Sequence, residues 1–169
     1  MKSLARFSLA VWMAVCAGTA VAGTATANLS VTATVITNCT IGTNPVAFGN
    51  YDAIVANAAS PLNGTGTVNL TCTNSSSATV TLSQGANPAG GSTDAVPLRR
   101  MAFGSEYLNY SLYTDSGRST VWGNTAGTGA SYTGTGSPGT VTIYAAVTAG
   151  QNTVPAGSYS DTVVATVTF

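Results

Sequence analysis

The sequence contains little charge and no histidine. Of its 169 residues only 6% are Asp, Glu, Lys or Arg, and the single lysine, Lys2, lies near the N-terminus. After residue 22, three arginines stand against five acids, which leaves a net charge of −2. Nucleic-acid binding needs clustered cations that displace counterions from the phosphates. Three arginines cannot form such a cluster, so the composition excludes a nucleic-acid-binding protein.

The lack of histidine and the scarcity of lysine also argue against most kinds of enzyme. Without histidine or lysine beyond residue 22, a serine or cysteine nucleophile has none of its usual bases. The five acids are scattered, and Asp115 and Asp161 lie in turn-like stretches where hydrogen bonding to the backbone is their expected role. The glycine-rich stretches do not follow a strand and open a helix, as phosphate loops do. The sequence therefore predicts no catalytic residue, no bound metal and no cofactor.

An export signal is predicted at residues 1–22. Lys2 and Arg6 precede an apolar run that ends in small residues, as signal peptides do. Cleavage is expected after residue 22 or after residue 27. A permanent membrane anchor is the alternative, although the run is short and no basic stop signal follows it.

Cys39 and Cys72 are the only cysteines beyond the predicted signal. An even number of cysteines in an exported chain predicts a disulfide. A metal site is the competing interpretation, which two thiols without histidine support poorly.

Short strands separated by Gly, Pro, Asn and Ser clusters fill the remaining chain. Apolar residues alternate in 66–72, 78–85, 107–113 and 140–147, and the first two of these are predicted to form a hairpin across 75–77. Residues 45–51 predict a further short strand, 86–97 a surface loop, and 124–139 a mobile loop or irregular edge. Such spacing is typical of an all-β antiparallel sandwich, whose core is the expected place of most aromatic residues.

Both ends of the chain beyond the signal carry alternating strands. One face of the N-terminal strand consists of Leu29, Val31, Ala33 and Val35, and one face of the last strand of Val163, Ala165, Val167 and Phe169. A strand at an open edge can pair with another chain. The N-terminal strand could thus complete its own sheet or the sheet of another molecule.

The ordered motifs of this chain resemble the spore coat U domain family, which includes the major subunits of archaic, Csu-type chaperone–usher pili. The motifs are Cys39-Thr40-Ile41, Phe48-Gly49-x-Tyr51-Asp52, Gly66-Thr67-Val68, Thr71-Cys72-Thr73, Arg100-Met101, Leu108-Asn109-Tyr110-x-Leu112-Tyr113, Val121-Trp122-Gly123, Gly157-x-Tyr159-x-Asp161-Thr162 and Val167-Thr168-Phe169.

This resemblance implies an immunoglobulin-like sandwich that lacks its last strand and is completed by donor-strand exchange. Residues 23–36 would be the donor extension and residues 37–169 the incomplete domain. The plug residues would be Leu29, Val31, Ala33 and Val35. The acceptor groove, which first pairs with a chaperone, would be bounded by Val163, Ala165, Val167 and Phe169.

The implied function is that of a pilus subunit, exported through the periplasm to the cell surface, where the fibre supports attachment and biofilm formation. Its implied partners are identical subunits arranged head-to-tail, a periplasmic chaperone, an outer-membrane usher and a tip adhesin subunit. Two alternatives stay open. One is a spore or cell-surface coat protein of the same family, and the other is a monomeric exported carbohydrate-binding module with an exposed aromatic face.

Overall fold

The computed structural model describes residue 18 and residues 20–169. The predicted signal peptide, residues 1–22, therefore lies outside the described residues except for positions 18 and 20–22. The chain divides into two units, Met1–Thr34 and Val35–Phe169. Among the described residues, no helix is long and apolar enough to cross a membrane.

The second unit is an antiparallel β-sandwich, as the sequence predicts. Its strands in the described part of the chain are β1 (Cys39–Asn44), β2 (Leu62–Cys72), β3 (Ser77–Leu82), β4 (Arg99–Phe103), β5 (Glu106–Tyr113), β6 (Ala130–Thr133), β7 (Gly139–Val147) and β8 (Ala165–Thr168). One sheet has the order β1-β2-β7-β5-β4, and the other has the order β6-β3-β8. The predicted all-β class is confirmed.

Alternation of apolar residues builds the core between the two sheets. The inward positions of β2, β3, β5 and β7 are buried, and Trp122 fills the space between the layers with no exposed surface. The Trp122 indole donates to the carbonyl of Val80 at 2.8 Å, so its polar atom is satisfied inside the core. The expectation that aromatic residues fill the core thus holds for Trp122.

Two expectations about strand arrangement are wrong. Strands β2 and β3 lie in different sheets, so they do not form a hairpin across 75–77. Ser75 instead takes a positive φ of 62°, and the chain turns there from one layer to the other. Residues 45–51 form no strand either. They cross the inner face of β2, where two glycines leave room for them.

The 86–97 segment contains no strand, in agreement with the predicted surface loop. The 124–139 segment is more regular than expected, since it contains β6, an edge strand paired with β3.

Candidate functional site

The second unit contains an apolar groove of about 380 Å³. The groove lies between a segment near the start of this unit and a segment near its end. One wall is formed by residues of the 43–48 segment and the other by residues of the 159–165 segment. The floor consists of core side chains, namely Leu82, Met101, Tyr110, Leu112 and Ile143. The groove thus reaches the hydrophobic core directly.

The first wall lies close to β2 because two inward positions of that strand have no side chain. A Cβ atom on Gly66 would come within 2.7 Å of Val46 Cγ2, and one on Gly64 within 2.9 Å of Phe48 Cδ1. Glycine at both positions therefore lets Val46 and Phe48 pack directly on the sheet. Both side chains contact the core as partly buried residues.

The second wall is a crossover from one sheet to the other. Ser160 exchanges two backbone hydrogen bonds with Ala102 of β4, at 2.8 and 3.1 Å. Four residues later, Val164 pairs with Ser83, which follows β3. The segment between them therefore spans the two layers at the mouth of the groove.

Of the four predicted wall residues, Val163 and Ala165 line the groove, whereas Val167 and Phe169 do not. Val163, Ala165 and Val167 are partly buried against the core, whereas Phe169 is 52% exposed. Strand β8 pairs with β3 on one side, and no strand of the described residues pairs with its other edge. That edge presents backbone N–H and C=O groups beside the groove, where another strand could bind.

Asp161 lies in the middle of the crossover and is its main polar anchor. Its Oδ1 accepts hydrogen bonds from the backbone N–H groups of Ala86 and Thr162, both at 2.9 Å. Its Oδ2 accepts from the Tyr110 hydroxyl at 2.7 Å. Burial raises the pKa of Tyr110, and the bond to Asp161 raises it further, so the phenol remains a proton donor at neutral pH.

Arg99 joins the two sheets beneath this region. It is 1% exposed, and its Nε and Nη2 donate to the carbonyls of Ser83, Leu82 and Trp122 at 2.8 to 2.9 Å. Burial lowers its pKa to about 10, so the side chain is still a cation at neutral pH.

The N-terminal segment, residues 23–36, is exposed along its whole length. Leu29, Val31 and Val35 are 85 to 87% exposed, and Ala33 is exposed as well. None of residues 20–38 is part of a strand, so the predicted N-terminal strand is not formed within the described chain.

The predicted disulfide is present at the start of β1, just after this segment. Cys39 lies opposite Cys72 in the β1–β2 ladder, and their sulfur atoms are bonded. Asn38, just before the ladder, is also tied to Thr73: its N–H donates to Thr73 Oγ1 at 3.0 Å, and its carbonyl accepts from the Thr73 backbone N–H at 2.9 Å. The exposed segment is therefore firmly anchored at its C-terminal end.

The sequence profile of the Spore Coat Protein U domain matches residues 25–166. The chain belongs to the Spore Coat Protein U domain family. This confirms the resemblance found in the motifs. Protein U from Myxococcus xanthus is 50% identical over 156 residues, which cover 88% of this chain and 87% of that protein.

A solved structure is similar in fold to this spore coat U domain. The CsuC–CsuE chaperone–tip adhesion subunit pre-assembly complex, from the archaic chaperone–usher Csu pili of Acinetobacter baumannii, matches with a TM-score of 0.56 and 22% identity. The match covers 80% of this chain but only 40% of the matched chain. At this identity the likeness concerns the fold, which is an immunoglobulin-like sandwich.

Sequence reasoning missed several residues that shape the groove of this spore coat U domain. Gly64 and Gly66 were visible as a Gly-x-Gly pair inside an otherwise alternating strand, which is a signal of close backbone approach. The sequence predicts a strand for Val46 and Phe48, whereas these residues form a wall of the groove. Nothing in the sequence indicated that Arg99 is buried.

The remaining polar candidates have structural roles. Asp115 accepts backbone hydrogen bonds from Ser119 and Thr120 and so closes a surface turn, as predicted. These bonds lower the pKa of Asp115, with the Thr120 bond contributing most. No group of three His, Cys, Asp or Glu side chains that could hold a metal ion occurs within the described residues.

Proposed function

We propose that this protein is a structural subunit that polymerises by donor-strand exchange. In this proposal the N-terminal segment of one copy enters the groove of the next copy. The observation that carries the proposal is the position of the apolar groove beside the unpaired edge of β8. A strand added there would form backbone hydrogen bonds with β8 and send alternate side chains toward the floor.

The N-terminal segment has the chemistry that this groove requires. Its apolar plug residues alternate with Ser30, Thr32 and Thr34, and residues 23–36 contain no charge. Burying each of the three large plug residues would contribute about 1.5 to 3 kcal/mol. Ala33 would contribute less, because its side chain is a single methyl group.

The geometry of the proposed contact favours a fibre. Donor segment and acceptor groove are different surfaces of the same chain, so each copy can offer one and fill the other. Such head-to-tail contacts generate open assemblies unless the rotation between copies closes a ring.

The proposed route is export through the periplasm, capture by a periplasmic chaperone and passage through an outer-membrane usher. The fibre, with a tip adhesin subunit at its end, would then support surface attachment and biofilm formation. Support comes from the shared fold of the solved chaperone–tip adhesion subunit complex. The proposed role is structural, with no catalytic step.

A second candidate is a subunit of a spore or cell-surface coat. The family membership and the 50% identity to Protein U favour this candidate. It would use the same groove and the same segment, and it would differ in the product, a layer rather than a fibre. Electron microscopy of the assembled protein distinguishes the two products.

The carbohydrate-binding alternative requires an N-terminal strand, and none of residues 20–38 is part of a strand. Trp122, the largest aromatic side chain of the domain, is fully buried and offers no ring to a sugar.

The test compares the mature chain with three variants, each co-expressed with its chaperone. One variant lacks residues 23–36, one carries Val31→Asp, and one carries Thr32→Asp. The two point variants add the same charge to neighbouring residues on opposite faces of the segment. Assembly is read as ladders on unboiled SDS gels and by size-exclusion chromatography.

We expect ladders from the mature chain and from Thr32→Asp, because Thr32 would face away from the groove. Val31→Asp and the truncated chain should remain chaperone-bound monomers, because a charge cannot enter the apolar floor without a large desolvation penalty. A chaperone-free monomer that unfolds on truncation would overturn the proposal. Equal assembly of the two point variants would overturn the proposal that the plug residues face the groove.

A further inference from the structure

Tyr110 stands in the floor of the groove and contacts both of its walls. On one side, its ring meets the ring of Phe48 edge-on, with a centroid distance of 6.2 Å and an interplanar angle of 66°. On the other side, its hydroxyl donates to Asp161 Oδ2 at 2.7 Å. Phe48, Tyr110 and Asp161 thus form a continuous line of contacts across the groove.

The Asp161 end of this line is held in place by a second set of bonds. The backbone N–H groups of Ala86 and Thr162 bond to Oδ1, and the Asn87 side chain also donates to it at 3.3 Å. Gly85 has a φ of +84°, and a Cβ atom there would overlap the Asp161 carboxylate. The loop after β3 therefore closes tightly around Asp161.

An open apolar groove needs such support. An unfilled cavity costs free energy in proportion to its volume, because the side chains that line it lack contacts on one side. The two walls would therefore gain by moving toward each other. The Phe48–Tyr110 contact resists that approach, and the bonds of Asp161 keep the crossover segment from shifting along the groove.

We propose that Tyr110 and Asp161 act as a spacer that holds the groove open before a strand enters it. They are positioning residues for strand uptake, and this inference rests on the proposed function. A groove that is open in advance lowers the cost of ordering on binding. Once a strand fills the groove, the strand itself keeps the walls apart, so the spacer then matters little.

The spacer should therefore act on the rate of strand uptake rather than on the rate of release. Tyr110→Phe keeps the ring contact with Phe48 and loses the hydroxyl. Asp161→Asn keeps the shape, but an amide has only one acceptor oxygen. If that oxygen faces the two N–H groups, the Tyr110 hydroxyl loses its acceptor and can only accept from the amide NH2 group; in the opposite orientation the two N–H groups lose their acceptor. The loss of these hydrogen bonds to Asp161 should slow strand association about five- to thirtyfold.

The experiment uses the full mature chain, freshly released from its chaperone, and a fluorescent peptide with the sequence of residues 27–38 as the probe. Association and dissociation rates of the peptide are measured for wild type, Tyr110→Phe, Asp161→Asn and Asp115→Asn. The last variant is the matched control, because Asp115 also accepts backbone hydrogen bonds in a turn but does not line the groove. Far-UV circular dichroism checks that each variant is folded.

We expect slower association for both spacer variants, unchanged dissociation, and wild-type rates for Asp115→Asn. A purely structural role would instead raise dissociation as well, and that result would overturn the inference. Equal association by all variants would overturn it while leaving the proposed function intact. If wild type takes up no peptide, both proposals fail together. If Asp161→Asn does not fold, Tyr110→Phe decides, and loss of folding in both would contradict a role confined to the groove.

Discussion

Replacing Arg99 by methionine should destabilise the domain by about 3 kcal/mol. The guanidinium donates to three buried or partly buried carbonyls, those of Leu82, Ser83 and Trp122. Hydrogen bonds from a charged donor contribute about 1.5 to 3 kcal/mol each. Methionine fills much of the same volume, but it leaves these acceptors without their donors.

An opposing effect reduces the loss. Burial lowers the Arg99 pKa from 12.5 to about 10, which corresponds to a penalty of about 3 kcal/mol on the buried cation. Methionine removes that penalty, so only part of the hydrogen-bond energy is lost. The remaining 3 kcal/mol is roughly a hundredfold change in the folding equilibrium and a large share of the stability of an ordinary domain.

Trp122 provides the assay for this prediction. The chain has two tryptophans, and the other, Trp12, lies in the predicted signal peptide, so Trp122 alone reports on the mature protein. Urea unfolding followed by its fluorescence gives the free energy of unfolding for wild type and Arg99→Met.

Arg100→Met is the matched control. Arg100 is the next residue of the same strand, on the opposite face, where it stacks on Tyr107 at 3.9 Å and bonds to the surface loop. Its loss should cost no more than about 1 kcal/mol. A cost below about 1 kcal/mol for Arg99→Met, or equal costs for both variants, would refute the reasoning.

Three further predictions concern the disulfide, the groove wall and a surface turn. Replacing Cys39 and Cys72 together by alanine should cost about 3.7 kcal/mol in urea unfolding, because the bond closes a loop across a sequence separation of 33; an unchanged midpoint would contradict this. Gly66→Ala should cost about 1 to 3 kcal/mol and reduce peptide uptake, because its methyl group would displace Val46; equal uptake by variant and wild type would contradict it. The pKa of Asp115 is lowered in the folded state, so its stabilisation is complete above the unfolded value of 3.8 and lost as pH falls through the folded value. Unfolding midpoints from about pH 6 to about pH 2 should therefore fall less steeply for Asp115→Asn than for wild type, and parallel curves would contradict this.

The strands that the sequence predicts well are those whose inward and outward positions differ in polarity. Residues 66–72, 78–85, 107–113 and 140–147 alternate cleanly, and they correspond to β2, β3, β5 and β7. Alternation is a local property, because successive side chains of a strand point to opposite faces. The order of the strands within the sheets is not local, and the predicted β2–β3 hairpin failed for that reason.

The groove was only partly predictable. The alternation of Val163, Ala165 and Val167 predicts which of these side chains face the core, because it depends on one strand alone. The first wall depends on a distant strand, because Val46 can lie on β2 only where Gly66 lacks a side chain.

The buried Arg99 shows a further limit. Hydropathy places an arginine at the surface, as it would Arg100 beside it. Only the three-dimensional arrangement brings the carbonyls of two other segments around the Arg99 guanidinium.

The position of the disulfide has a mechanical consequence for the proposed fibre. A pull on a donated N-terminal segment would enter the domain at Cys39, the first residue of β1. A strand loaded at one end normally unzips from that end, breaking one ladder bond after another. Here a covalent bond carries the load from Cys39 to Cys72 of β2, a strand paired on both sides by β1 and β7. The ladder between β1 and β2 therefore cannot open from the pulled end, and the tension passes from the edge strand into an interior strand of the sheet.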